Sequence, residues 1–89
     1  MTTVSAKDRE AIMLRLKRVE GQLRGIQKMI EQEAECEQLM QQMSAARKGL
    51  DRAFYQMVAC MIEHELAGNA GGRIRARLSH LTGLLAKFA

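Results

Sequence analysis

The stretch CEQLMQQMSAARKGLDRAFYQMVACMIEHEL, residues 36–66, decides how this chain folds. It contains no proline, and only Gly49 interrupts its helix-compatible residues, so it predicts one helix of roughly 30 residues, about 45 Å long. Steps of three and four from Cys36 select Cys36, Leu39, Met43, Ala46, Leu50, Ala53, Met57, Cys60 and His64. That is a heptad-like apolar seam with thiols and an imidazole toward its ends. Cys36 and Cys60 stand about 36 Å apart along such a helix and cannot share a site within it. Antiparallel packing against a second copy, about a two-fold axis near residue 48, brings Cys36 of one chain beside Cys60 and His64 of the other and creates two identical sites. A bundle in which another helix fills the seam, leaving the thiols as ordinary core groups, is the competing reading.

Upstream, Ser5 followed by Asp8 and Glu10 reads as a helix start, and residues 1–5 before it as a flexible arm. Ile12, Leu16, Val19, Leu23, Ile26 and Ile30 then step by four and three, which predicts an amphipathic helix over 6–32. Its other faces are basic, and Arg15, Arg18 and Gln22 share one side at i, i+3, i+7. Long cationic donors in such a row, with an amide among them, suit phosphate contacts on double-stranded nucleic acid. Solvated charged faces are the commoner meaning of such rows. Glu31, Glu33, Glu35 and Glu37 crowd like charge where the apolar stripes lose phase, which places a break near 33–35 and starts the second helix at 36. Arg47, Lys48 and Arg52 add a second basic cluster, with Asp51 at i+4 from Arg47 for an intrahelical pair.

Downstream, Ala67-Gly68-Asn69-Ala70-Gly71-Gly72 is the one strong linker signal. A last helix over 73–88 carries Ile74, Leu78, Leu81, Leu85 and Phe88 on one stripe, with Arg73, Arg75, Arg77 and Lys87 off it. The expected fold is therefore all-α, with two long antiparallel helices and a short third in a single domain of 89 residues. Three helices of this kind enclose little core on their own, so association is expected. No apolar run reaches transmembrane length and the N-terminus is charged almost at once, which predicts a cytoplasmic protein with no membrane partner. In a reducing compartment two cysteines point to reactivity, metal binding or burial rather than a permanent disulfide. No nucleophile stands with a base and an orienting acid, and no glycine loop cradles phosphate, so an enzyme is not expected.

The segments RLKRVEGQLRGI, residues 15–26, then Glu35-Cys36, and QQMSAARKGLDR, residues 41–52, resemble the copper-sensitive operon repressor family. That family also contains nickel-, cobalt- and formaldehyde-responsive repressors and a persulfide-sensing branch. The resemblance covers residues 10–66 well and the last helix by general character. It implies a three-helix subunit, an antiparallel homodimer, a dimer-of-dimers homotetramer, and a repressor that holds operator DNA until an inducer acts at the dimer interface. By this resemblance Arg15, Arg18, Arg47 and Arg52 match basic DNA-contacting positions, and Cys36 matches the sensing cysteine. The histidine and cysteine that follow in copper-responsive members fall on Met61 and Glu65 here. Cys60 and His64 lie one residue earlier, in the opposite order.

Two inducer chemistries follow. Cys36 of one chain with Cys60 and His64 of another makes a soft site suited to Cu(I) or Zn(II), with Met61 as an additional thioether. Alternatively Cys36 and Cys60 form a thiol pair, with no metal, that crosslinks on reaction with an oxidant, persulfide or electrophile. A helical metal carrier or buffer that never meets DNA is the alternative from a different class. For Cys60 and His64 structural roles compete evenly, and the methionines read as adaptable core filler.

Overall fold

The computed structural model describes residues 3–67 and 74–88. Three helices occur in the order α1 (Ala6–Glu31), α2 (Cys36–Ala67) and α3 (Ile74–Phe88). The linker expected at 67–72 falls almost wholly outside the described residues, as do Met1 and Thr2 of the expected arm and Arg73.

Ser5 caps α1: its Oγ accepts from the Asp8 amide at 3.2 Å and donates to the Asp8 carboxylate at 2.9 Å. The carboxylate thus sits in the first turn, where the helix dipole favours it. The other end of α1 closes in a Schellman motif. The Glu33 amide bonds the Ile30 carbonyl and the Ala34 amide bonds the Met29 carbonyl. The position that this motif gives to glycine is held by Glu33 at φ 59°. Two residues later the Glu35 carbonyl accepts from Leu39, and α2 begins at Cys36. The chain therefore turns back within four residues, and α1 and α2 pack antiparallel.

Each long apolar stripe divides into two lines of period seven. On α1, Ile12, Val19 and Ile26 are buried, while Leu16, Leu23 and Ile30 stay exposed. On α2, Ala46, Ala53 and Cys60 are buried, while Met43, Leu50 and Met57 stay exposed. The two α2 lines are roughly 50° apart around the helix. One lies against α1; on the other, Met57 borders the hollow beside α3, while Cys36, Met43, Leu50 and His64 are exposed. The expected single seam is corrected accordingly: Cys60 belongs to the line covered by α1, and Cys36 and His64 to the exposed one.

Among the described residues α3 packs on α2 alone. Leu81 is buried and Leu84 and Leu85 half-buried, whereas Leu78 and Phe88 of the expected stripe are exposed. Phe54, Met57, Val58 and Met61 of α2 face this part of α3 across an apolar hollow of about 290 Å³. Among the described residues the core is Ile12, Val19, Ile26, Ala46, Ala53, Cys60 and Leu81, and no large side chain is completely buried. The Cα radius of gyration is 17.5 Å, against about 12 Å for a compact chain of this length. So extended a subunit leaves its remaining apolar lines for another surface to cover.

Candidate functional site

Two surfaces gather the sequence-predicted site residues, and α2 contributes to both. The first is a basic groove between α1 and α2. Arg15, Arg18 and Gln22 line it from one side and Ala45, Gly49 and Arg52 from the other, with Val19 at its floor, around a space of about 110 Å³. On α2 the spacing of Ala45, Gly49 and Arg52 at i, i+4, i+7 keeps them on one face. Gly49 permits the close approach: a Cβ there would stand 3.0 Å from Val19 Cγ2 and 3.5 Å from Gln22 Oε1.

Among the described residues no acid pairs with Arg15, Arg18 or Arg52; the ion pair that forms is the exposed Glu20–Arg24 contact at 3.2 Å. Three guanidiniums of like charge around one groove repel one another until an anion enters. Arg47 lies elsewhere. It borders a separate hollow with Met40, Met43 and Ser44, well round the helix from Arg52. It forms no pair with Asp51, so the expected intrahelical contact is absent.

The second surface is the exposed line of α2: Cys36, Met43, Leu50, Met57 and His64. Cys36 is a free, exposed thiol in the first turn, and His64 is exposed in the last stretch of the helix. The line is symmetric in sequence. Cys36 and His64 each stand fourteen residues from Leu50, and Met43 and Met57 seven. Cys60, also a free thiol, is 7% exposed on the α1 side. Of the sites inherited from the family pattern, Met61 is half-buried and Glu65 buried. Met40 and Met43 are exposed rather than core.

Among the described residues of one chain, no three His, Cys, Asp or Glu side chains are grouped to hold a metal ion. The sequence pointed to the arginines and thiols through residue type and spacing. It did not single out Gln56 and Gly49. Gln56 Oε1 accepts a 2.8 Å hydrogen bond from Arg15 Nε, and the only signal for Gly49 was its place as the lone glycine inside a long helix.

The sequence model of the metal-sensitive transcriptional repressor family matches residues 8–87. The chain is 32% identical over 85 residues to the copper-sensing transcriptional repressor CsoR of Bacillus subtilis (strain 168), covering 94% of this chain and 84% of that one. It superposes on the nickel-responsive transcriptional regulator InrS with a TM-score of 0.81 at 26% identity, covering 100% of this chain and 98% of the other. It also superposes on the copper-sensing repressor CsoR with Cu(I) from Geobacillus thermodenitrificans NG80-2, with a TM-score of 0.75 at 30% identity over 99% of this chain and 93% of that one.

Proposed function

This chain belongs to the metal-sensitive transcriptional repressor family, and from that premise we propose that it is a cytoplasmic, Cu(I)-responsive repressor whose sensing site is shared between two copies. It is a transcriptional repressor and not an enzyme. The observation that carries the finer reading is the exposed line of α2, symmetric about Leu50. Antiparallel packing of two such lines covers Met43, Leu50 and Met57 and lays Cys36 of one copy against His64 of the other. The two-fold axis then moves from residue 48 to residue 50, because the exposed residues and not the covered ones face the second copy.

Cys36 with His64 and Met61 of the second copy offers a thiolate, an imidazole and a thioether. This soft set favours Cu(I), with Zn(II) the weaker match for want of a second anionic donor. Cys60 stays in the α1–α2 interface as a core thiol. Arg15, Arg18 and Arg52 grip phosphates of double-stranded operator DNA, and Arg47 adds charge outside the groove. Pairing of dimers into a homotetramer doubles the number of such grooves on one DNA site. Induction is two-state linkage: the metal binds the low-affinity conformation more tightly and shifts the population toward it.

The test is titration of promoter DNA by the reduced, metal-free protein at several salt concentrations, repeated with Cu(I), Zn(II) and a persulfide donor. Steep loss of affinity with salt is expected, and release by Cu(I) without a change in mass. Cys36→Ser and His64→Ala should abolish that release and Cys60→Ser retain it. Release through a Cys36–Cys60 crosslink, indifferent to His64→Ala, would replace the metal reading with a thiol switch. No binding to DNA at any salt concentration would leave a metal carrier.

A further inference from the structure

We propose that Gln56 is a positioning residue for DNA binding, acting through Arg15; the inference rests on the DNA-binding reading of the basic groove. Gln56 lies on the groove side of α2, at i+4 from Arg52 and i+7 from Gly49. Its Oε1 accepts from Arg15 Nε at 2.8 Å, across the helix pair and in a partly buried setting.

That choice of atom matters. An arginine carries one Nε–H and four terminal N–H donors, so a bond at Nε leaves the phosphate-facing fork unused. It also fixes the plane of the guanidinium. Arg15 is half-buried, whereas Arg18 and Arg52 on the same groove are exposed. The groove therefore holds one tethered guanidinium and, among the described residues, two untethered ones. An untethered arginine gives up rotamer freedom on binding, and Gln56 removes part of that cost before DNA arrives. A carboxylate would hold Nε equally well but would cancel the charge the groove needs; a neutral amide orients without neutralising.

The bond also ties the DNA face to the sensing face, since Gln56 immediately precedes Met57 on the exposed line of α2. A small turn or slide of α2 changes the reach from Gln56 to Arg15 before it changes any contact of Arg18.

A double-mutant cycle tests the role, with promoter DNA as the probe and helix content and thermal midpoint measured on every variant. Gln56→Met, close in size but without the acceptor, should weaken DNA binding about fivefold, the order of one net hydrogen bond. In an Arg15→Ala background the same substitution should change nothing. Gln56→Glu keeps the acceptor, so its helix packing should be unchanged, and it should flatten the salt dependence by about one phosphate contact. Equal losses from Gln56→Met with and without Arg15 would make its effect purely structural and overturn the proposal. Unchanged affinity in Gln56→Met, beside weakened Arg15→Ala, would sink the positioning role and leave the DNA face standing. Unchanged affinity in Arg15→Ala would sink both.

Discussion

Leu50→Glu should turn the protein into monomers. Leu50 is 50% exposed in the subunit and lies at the centre of the Cys36–His64 line. Burying a whole leucine side chain is worth about 1.5–3 kcal/mol, so covering its exposed half contributes about 1 kcal/mol. Two-fold symmetry counts it twice, which gives about 2 kcal/mol per dimer. Leu50→Ala should accordingly raise the dimer dissociation constant by roughly 30-fold. Glutamate does more, because two carboxylates are brought together across the axis and stripped of water without a partner, at several kcal/mol each. Tyr55→Glu is the control: Tyr55 is more exposed than Leu50, at 65%, yet it points about 140° away around the helix. Sedimentation velocity across a micromolar concentration series reads the outcome. A dimer that survives Leu50→Glu, or one that Tyr55→Glu disrupts equally, would refute the placement of the interface on this line.

Gly49→Ala and Gly25→Ala should move stability in opposite directions although both exchange a helical glycine. At Gly25 nothing lies within 4 Å of the added carbon, so thermal unfolding should show a gain of about 0.5–1 kcal/mol. At Gly49 the new Cβ meets the buried, stiff Val19 at 3.0 Å, so overpacking of about 1–3 kcal/mol should outweigh the propensity gain. DNA affinity should fall with it, since the same approach forms the arginine groove. Glu33→Gly relieves a left-handed residue at φ 59° and should raise stability by about 1 kcal/mol, whereas Glu33→Ala should not; equal effects would exclude backbone strain as the cause. In the native reduced protein a disulfide reagent should label exposed Cys36 rapidly and buried Cys60 only on unfolding, and equal rates by intact mass would contradict the assignment of Cys60 to the α1 face.

The helix pair was legible from the sequence because its signals are local. A proline-free run, an N-cap serine and a four-and-three step depend on neighbours along the chain, and they place α1 and α2 to within a residue or so of where they lie. The turn between them was legible only as a crowding of glutamates. Its actual device, a Schellman motif with Glu33 in the glycine position, carries no residue signature when glycine is absent. The seam was over-read for a definite reason. A step of threes and fours selects two lines of period seven, and sequence gives both the same weight. Packing separates them: small Ala46, Ala53 and Gly49 admit α1 on one side, while the bulkier Met43, Leu50 and Met57 are left on the other. Cys60 fell on the small-residue line, out of reach of any periodicity argument.

The same division gives so short a chain room for the two proposed functions. α2 has three working faces. One packs on α1 through Ala46, Ala53 and Cys60; one, from Cys36 to His64, is exposed; one carries Gly49 and Arg52 on the arginine groove, with Gln56 bonded to Arg15. A helix is stiff along its length, so an inducer that draws its two ends toward a second chain moves it as a body. The close packing of Gly49 on Val19 leaves little room for α2 to slide without disturbing the groove. On the proposed reading, coupling needs no chain of intermediary residues, because the proposed sensing line and the proposed DNA-facing line are two sides of one element. It must also run both ways: whatever factor the metal takes from DNA affinity, bound DNA takes from metal affinity.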